Sequence, residues 1–538
     1  MEEQPTCNVQ NLGHLGILAA IFKEFKIVER IDSLLPKKSN NQNITHGEVI
    51  QAMVMQGLGF SNHRLYLSAE FFSHVAMDSI FNSKIKFEYF TADTIGRTLD
   101  AIFKYGPTKF FTDLCLNIVI ENKLLKKFFY IDTTSLYTTG KKYKNTGNIE
   151  LKRGYSKDHR MDLKQLVYLL VTTDEGLPIF AESHSGNASD NELFQKAIIK
   201  VQNLVKDQME NQIFVLDAAL YSKEFLLNPH ITGDWVTRVP ESIKLCKEYL
   251  ERDYDKLLWT KVDKDFKFVE LESTYGGIKQ RWILVRNREA KYKELATFKK
   301  QLDKEKETIE SGIKKLEKKI FFTKEEAARE MENHKTYHQH FIFTYKIQGI
   351  CEKVKTNDRE KIVRIGYNLS ISFKRDETRI KKTEMKKGKF ILAASCLDDE
   401  KLSASDILGA YRGRNKNSEG CFKFIKDKTH NLNQIFLKKE SRIEAMVTVM
   451  SIILFINNLA QKKLRDFLIE KDESITSQLG RGTKNPTFKW ASYLMRNITK
   501  VKIEVAGKIY DQIKGIKKVQ ETIIRAFGDY ALEIYGLT

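Results

Sequence analysis

The 538-residue sequence predicts an α/β protein: a mixed sheet covered by helices, interrupted by a large β-plus-helical insertion, with helical regions at both ends. Three observations carry this. Apolar residues recur at helical spacing from about 10 to 120; strand-like and helix-like runs alternate from about 125 to 240; and short strands flank a Lys/Glu-rich heptad-like run between about 251 and 395.

Thr45 is placed to cap a helix through Met55, a second helical piece runs to Phe72, and Asp93-Thr94 opens a third that stops before Gly106-Pro107. Such units dock in a DNA groove or pack as a bundle, and composition does not choose between these. The next segment, Lys127 to Tyr137, is aromatic and β-branched, and so reads as a strand. It holds Asp132, a carboxylate that is costly to desolvate unless a cation compensates it. Gln165–Thr173 and Pro178–Ser183 form a hairpin across Asp174-Glu175-Gly176, followed by a helix over 190–206. A second apolar strand, from Gln212, ends at Asp217 before the tight Ala218-Ala219. A helix over 222–228 and a strand over 235–239 complete an order of three strands, helix, strand, helix, strand, which is compatible with a ribonuclease-H-like core. Two strands ending in Asp can bring two carboxylates to one sheet edge.

In the insertion, Trp259–Val262, Phe266–Leu271 and Gln280–Val285 read as strands, and Leu295 through Ile320 as a heptad-like seam of a helical arm or hairpin. Further strands are expected near His340–Thr344, Ile362–Ser372 and Lys389–Ala394. His334, His338 and His340 read as a solvated cluster, because no Glu follows the first in a zinc-binding pattern. Ala404–Ala410 then leads into a helix carrying Glu419 among cations, with Arg412, Glu419 and Lys426 on one stripe and Lys423 one turn from Glu419. The apolar run Ala445–Ile456 is too short to span a bilayer and reads as a buried helix. The boundaries expected are 1–122, helical and DNA-binding; 123–250, first part of the core; 251–395, insertion; 396–465, second part of the core; and 466–538, helical.

With 90 Lys and Arg against 70 Asp and Glu, the net charge of +20 makes a polyanion the first partner to consider. Six scattered cysteines form no Cys-x-x-Cys pair, which suits a reducing cytoplasm, and the opening Met-Glu-Glu-Gln-Pro lacks a secretory pattern. Three carboxylates from separated segments amid cations suit two Mg²⁺ ions that clamp a phosphodiester, one activating water or a 3′-hydroxyl and the other stabilising the leaving oxygen. Asp132 would bridge both ions, Asp217 and Glu419 would hold one each, and Arg412, Arg414, Lys423 and Lys426 would steady the DNA strand.

Several segments together carry a family resemblance: Ile44-Thr45-His46-Gly47-Glu48, Arg64-Leu65-Tyr66, Tyr130 to Ser135, Gly154 to Gln165, Leu216 to Tyr221, Thr237 to Glu241 and Tyr411 to Asp427. The chain resembles the DDE transposases of bacterial insertion sequences, in the branch with a Tyr-Arg-Glu-Lys motif around its last acid. The resemblance implies cleavage at the ends of a mobile element and strand transfer to target DNA, by phosphodiester hydrolysis and transesterification. It implies Mg²⁺, with Mn²⁺ as a substitute, and DNA partners comprising terminal inverted repeats and target. It also implies self-association in a synaptic complex, a bacterial cytoplasmic location and no membrane. Asp132, Asp217 and Glu419 match the acidic triad; Tyr411, Arg414 and Lys426 match the flanking motif; and Arg238, Lys157, His159 and Arg160 join the DNA-binding set. The alternative is a domesticated, catalytically silent relative that binds DNA. One departure stands out: the family places three residues between Arg and Glu, whereas four separate Arg414 from Glu419, so either Arg412 takes the phosphate or the start of the helix is deformed. Some relatives stack a flipped base on an aromatic residue of the inserted region, for which Trp259 and Trp282 are candidates, with burial in the core the competing expectation.

Overall fold

The structure is a computed structural model. It describes residues 6–537 apart from 36–42, 61–66, 82–83, 139–146, 155–161, 189, 207–211, 253, 255–257, 357–358, 428–436, 438 and 506–507. The protein is mixed α/β and divides into two compact units, the first of residues 1–220, 227–236 and 409–538, the second of 221–226 and 237–408.

In the first unit, strand β1 (Thr6–Asn11) precedes helices α1 (Leu15–Glu24), α2 (Ile27–Leu34) and α3 (His46–Gly57). Thr45 caps α3 as expected, in a reciprocal box with Glu48 that satisfies two backbone donors. Short helices α4 (Ser68–Phe72) and α5 (Met77–Ile80) lead to α6 (Ala92–Tyr105) and α7 (Pro107–Glu121), where Gly106 at φ 103° ends one helix and Pro107 starts the next. The central sheet comprises β2 (Phe128–Thr138), β3 (Lys164–Thr173), β4 (Pro178–Ser185) and, beyond helix α8 (Asp190–Val205), β5 (Ile213–Leu216). After the four-residue helix α9 (Lys223–Leu226) of the second unit comes β6 (Asp234–Arg238), and the strand order is β4-β3-β2-β5-β6. Strand β3 runs antiparallel to both β2 and β4, while β5 runs parallel to β2. Burial on both faces explains why these strands read as near-continuous apolar runs.

The second unit contains α10 (Lys244–Glu251), β7 (Thr260–Lys261), β8 (Phe266–Ser273) and β9 (Gln280–Asn287). The 31-residue α11 (Arg288–Lys318) and α12 (Lys324–Thr336) follow, then β10 (Phe341–Thr356), β11 (Arg359–Arg375), α13 (Glu377–Lys386) and β12 (Lys389–Ala394). Strands β12-β9-β8-β7 form an antiparallel order, and β10 and β11 form a separate two-stranded ribbon, with Phe321 bridged to Tyr367 of β11. The expected heptad seam exists, but its partner is the ribbon: Phe298, Leu302, Ile309 and Ile313 of α11 bury against Phe341, Phe343, Ile371 and Phe373.

The chain returns to the first unit along α14 (Ala404–Arg414), a π-helical turn at Asn415–Glu419, α15 (Gly420–Lys426) and α16 (Glu440–Glu470). Helix α16 is long and apolar enough to cross a bilayer, yet 94% of its apolar window is buried inside the protein, so it is the core helix the sequence suggested. The region after 466 departs from the all-helical expectation. Strands β13 (Ile475–Thr476) and β14 (Gly482–Thr483), helix α17 (Phe488–Met495), strands β15 (Thr499–Val505) and β16 (Lys508–Lys514), and helices α18 (Lys518–Arg525) and α19 (Asp529–Tyr535) alternate there. Strand β15 pairs with both β16 and β1, closing a three-stranded sheet across the chain's length.

Candidate functional site

The parallel pairing of β2 with β5 builds the site. Phe128, Phe129 and Tyr130 face Ile213, Phe214 and Val215 in register. The same offset carried two residues further sets Asp132 beside Asp217, which lies one residue past the end of β5. Asp132 is 7% exposed and its Oδ1 accepts the Thr133 N–H at 2.8 Å; Asp217 is more open and its Oδ1 accepts the Ala219 N–H at 3.1 Å, which orients the carboxylate at the strand end. Their other oxygens converge on one atom: Arg414 Nη2 lies 2.7 Å from Asp217 Oδ2 and 3.4 Å from Asp132 Oδ2. Burial works against the Arg414 charge, but Asp132 and Asp217 outweigh it and hold its pKa above the usual value.

The Arg414 position is fixed by close packing of α14 on the sheet. Ala410 buries with Tyr130 and Val215, and a Cβ at Gly413 would stand 2.6 Å from the Tyr130 hydroxyl oxygen, so a residue without a side chain is what lets the helix approach. Burial, with Asp174 nearby, raises the Tyr130 phenol well above its usual range, against a hydrogen bond with Asn417. At the turn after β3, burial likewise pushes Asp174 up to about 6, although its Oδ1 accepts the Phe128 N–H at 3.1 Å.

A π-helical turn separates Arg414 from Glu419. A π turn inserts one residue into the helical repeat, so Arg414 and Glu419, five apart, take the relation that residues four apart hold on an α-helix. Its inner side buries Asn417 and Ser418 against the sheet: the Asn417 carbonyl accepts the Thr172 hydroxyl at 3.2 Å and faces Cys421 Sγ at 2.9 Å. Asn417 Oδ1 and Ser418 Oγ are buried without a hydrogen-bond partner among the described residues. Glu419 closes the turn as an exposed residue. Among the described residues, no group of three His, Cys, Asp or Glu side chains is gathered, so the acids brought together are Asp132 and Asp217.

The expected stripe of Arg412, Glu419 and Lys426 is corrected by this turn, which breaks the angular repeat between its first two members. Arg412 is exposed, and it is Arg414 that reaches the acids. Beyond the turn, Lys423 is exposed and Lys426 half-buried on α15, while Tyr411 is half-buried on α14. Arg238, in the second unit, pairs with Glu241 at 3.5 Å and covers the Phe390 ring. Lys157, His159 and Arg160 lie outside the described residues, as do Arg64, Leu65 and Tyr66. Trp282 is buried and donates to the Tyr221 hydroxyl at 3.0 Å, the core role that competed with base stacking. Trp259 has Arg286 and Lys267 over its ring at 4.3 and 5.0 Å and lines a cleft of about 710 Å³. His338 and His340 both face Glu305, at 3.3 and 3.5 Å, and His338 is buried, so the histidine cluster is packed where a solvated one was expected.

Sequence reading missed Glu440 and Glu444. Both are buried on α16, and Glu444 Oε1 accepts the Asn148 and Ile149 N–H groups at 2.7 and 3.1 Å, pinning the segment that precedes 155–161. Burial raises the Glu444 carboxyl above its usual range. Their signal was the spacing of two acids four apart at the start of an apolar helix.

The family profile that matches the chain is a domain of unknown function (DUF4277), over residues 7–116. In the structure that stretch runs from β1 into α7, and it includes none of Asp132, Asp217, Arg414 or Glu419. No curated protein matches the chain.

Proposed function

We propose that the chain is a DNA transposase of the DDE type, which cleaves the ends of an insertion sequence and joins them to target DNA by phosphodiester hydrolysis and transesterification. The observation that carries the reading is the convergence of Asp132 and Asp217, from adjacent parallel strands, on one cationic nitrogen of the motif helix. Three antiparallel strands followed by one parallel to the first support a ribonuclease-H-like core. The π turn supports the motif assignment, because it absorbs the one surplus residue before Glu419.

The pair fits a hard divalent cation: both donors are carboxylate oxygens, and their shared contact with Arg414 marks a point that attracts positive charge. Asp132 and Asp217 would hold Mg²⁺ or Mn²⁺, with Glu419 as the third acid of the triad. Such ions supply an activated water or 3′-hydroxyl and stabilisation of the leaving oxygen. The chain's own groups do the rest. The Thr133 and Ala219 N–H groups hold the two carboxylates in orientation, and Arg414 passes from the acids to a DNA phosphate, where its planar fork makes paired hydrogen bonds. Lys423 and Lys426 add positive charge along the strand.

A second reading has a specific observation in its favour: a guanidinium spanning both aspartates is also what a silent, DNA-binding relative would hold there. One experiment separates the two. The purified chain is incubated with a supercoiled plasmid carrying the DNA that flanks its gene, in Mg²⁺ or Mn²⁺. The transposase reading expects nicks at the element junctions, lost in Asp132→Asn and Asp217→Asn while DNA binding is kept. Binding without cutting by the unaltered chain selects the silent reading, and undiminished cutting by Asp132→Asn overturns the acid assignment.

A further inference from the structure

The β10–β11 ribbon has two different faces. One carries Phe341, Phe343, Tyr345, Leu369 and Phe373, which bury against α11 and α12. The other is turned to solvent along four cross-strand pairs. On β10 these are Ile342, Thr344, Lys346 and Gln348; opposite them on β11 stand Lys374, Ser372, Ser370 and Asn368. All but the half-buried Asn368 are exposed.

This face holds no carboxylate, in a chain with 70 of them, and its polar groups are donors or can serve as donors. The first acid on β10 is Glu352, past the register shift at Ile350/Cys351. The face runs for six residue steps, about 20 Å, on two strands about 5 Å apart. A two-stranded ribbon of that width enters the major groove of B-form DNA, which is about 12 Å wide, whereas the deep, narrow major groove of an RNA helix excludes it. A Gln and an Asn side by side at the far end, with Lys346 in the next pair and Lys374 in the pair at the opposite end, are the side chains that read adenine and guanine edges or hold phosphates. A protein partner is disfavoured: Ile342 is the only large apolar side chain among these eight, and nothing in the patch would pair with Lys346 and Lys374 of a second copy.

We propose that this solvent-facing side of the β10–β11 ribbon is a sequence-reading surface that docks in the major groove of duplex DNA. The proposal goes beyond the strand-cleaving reading and does not depend on it, because binding is measured in EDTA, where no cutting occurs.

The probe is a pool of 40-base-pair duplexes with a randomised centre, from which the full-length chain selects its preferred sequence. Two variants keep the fold and change the face: Gln348→Ala with Asn368→Ala, and Lys346→Gln with Lys374→Gln. A charge-matched control, Lys299→Gln with Lys300→Gln, lies on exposed positions of α11. The amide variant is expected to lose about tenfold or more of its preference for the selected duplex over random DNA, with the salt dependence of binding unchanged. The lysine variant is expected to weaken all duplexes alike and to reduce the slope of log affinity against log salt by about two. Dimethyl sulfate protection of guanine N7, a major-groove atom, should be lost in both ribbon variants and kept in the control. Equal effects in control and ribbon variants, unchanged N7 protection, or self-association as the property the ribbon variants alter would each overturn the proposal. Because binding is read in EDTA, where nothing is cut, failure of the cleavage reading leaves this result readable.

Discussion

Replacing Arg414 by Gln tests the electrostatics of the site directly. The guanidinium is 14% exposed and sits between an Asp132 side chain that is 10% exposed and an Asp217 side chain that is 39% exposed. Removing one partner of a buried ion pair costs about 3–5 kcal/mol, because a charge is left uncompensated. Asp217 is open enough for water to take up part of that loss, which brings the expected cost to about 2 kcal/mol in EDTA. The same substitution removes the guanidinium that the two carboxylates share, and a divalent ion can then take its place between them. At a hundred times its dissociation constant such an ion returns about 2.7 kcal/mol. Chemical denaturation of the full-length chain, with and without Mg²⁺, reads both effects. The variant should be weaker than the unaltered chain in EDTA and gain more from Mg²⁺, since no guanidinium then has to be displaced. Equal stability of the two in EDTA, or an equal response to Mg²⁺, would refute the argument that Asp132 and Asp217 form one cation-dependent unit.

Four further outcomes are expected. Gly413→Ala puts a Cβ 2.6 Å from the Tyr130 hydroxyl and should cost about 1–3 kcal/mol, while the added change Tyr130→Phe, which removes that oxygen, should recover most of it in the same denaturation assay. Asp174 has a folded pKa raised to about 6, so between the unfolded carboxylate value and about 6 the native state holds the extra proton and stability falls as pH rises; Asp174→Asn should remove on the order of 1 kcal/mol of that fall, read as the variant-minus-unaltered difference in stability at pH 4 and pH 7. Deleting Lys416 should convert the π turn into regular helix and keep plasmid nicking within about tenfold, because Arg414 and Glu419 hold their facing; abolished nicking in a folded variant would show that the turn does more than absorb a residue. Exposed Arg412, changed to Gln, should alter nicking far less than Arg414→Gln does, and the reverse order would reassign the motif arginine.

Much of the first unit was legible because its signals are local. Thr45 announced a helix cap, the Asp174-Glu175-Gly176 turn joined two apolar runs, and Asp132 and Asp217 were visible as acids inside or just after strands. What brings those acids together was not local: the parallel register of β2 and β5 depends on an offset between segments 85 residues apart, which no window of sequence contains. The π turn showed itself only as a spacing anomaly, and its cause, burial of Asn417 and Ser418 against the sheet, is tertiary. Strands β15 and β16 were mistaken for helix because neither buries a clean apolar face, and their alternation is hidden among lysines. The ribbon was read as separate short strands for a related reason: it buries only one face, and charged residues crowd its distal half.

The sheet that joins β1 to β15 and β16 has a consequence for how the protein is made. The Tyr535 hydroxyl donates to the Gly13 carbonyl at 2.5 Å, across 522 positions of chain, and Asn8 pairs with Lys502. On a ribosome, residues 6–11 therefore wait for their partners until nearly everything between them has been synthesised. Messages broken before the codons for 499–514 would yield products whose opening strand is a bare edge, and such products should be rapidly degraded or aggregate. Quality control of this kind would spare the cell a fragment lacking its final segments.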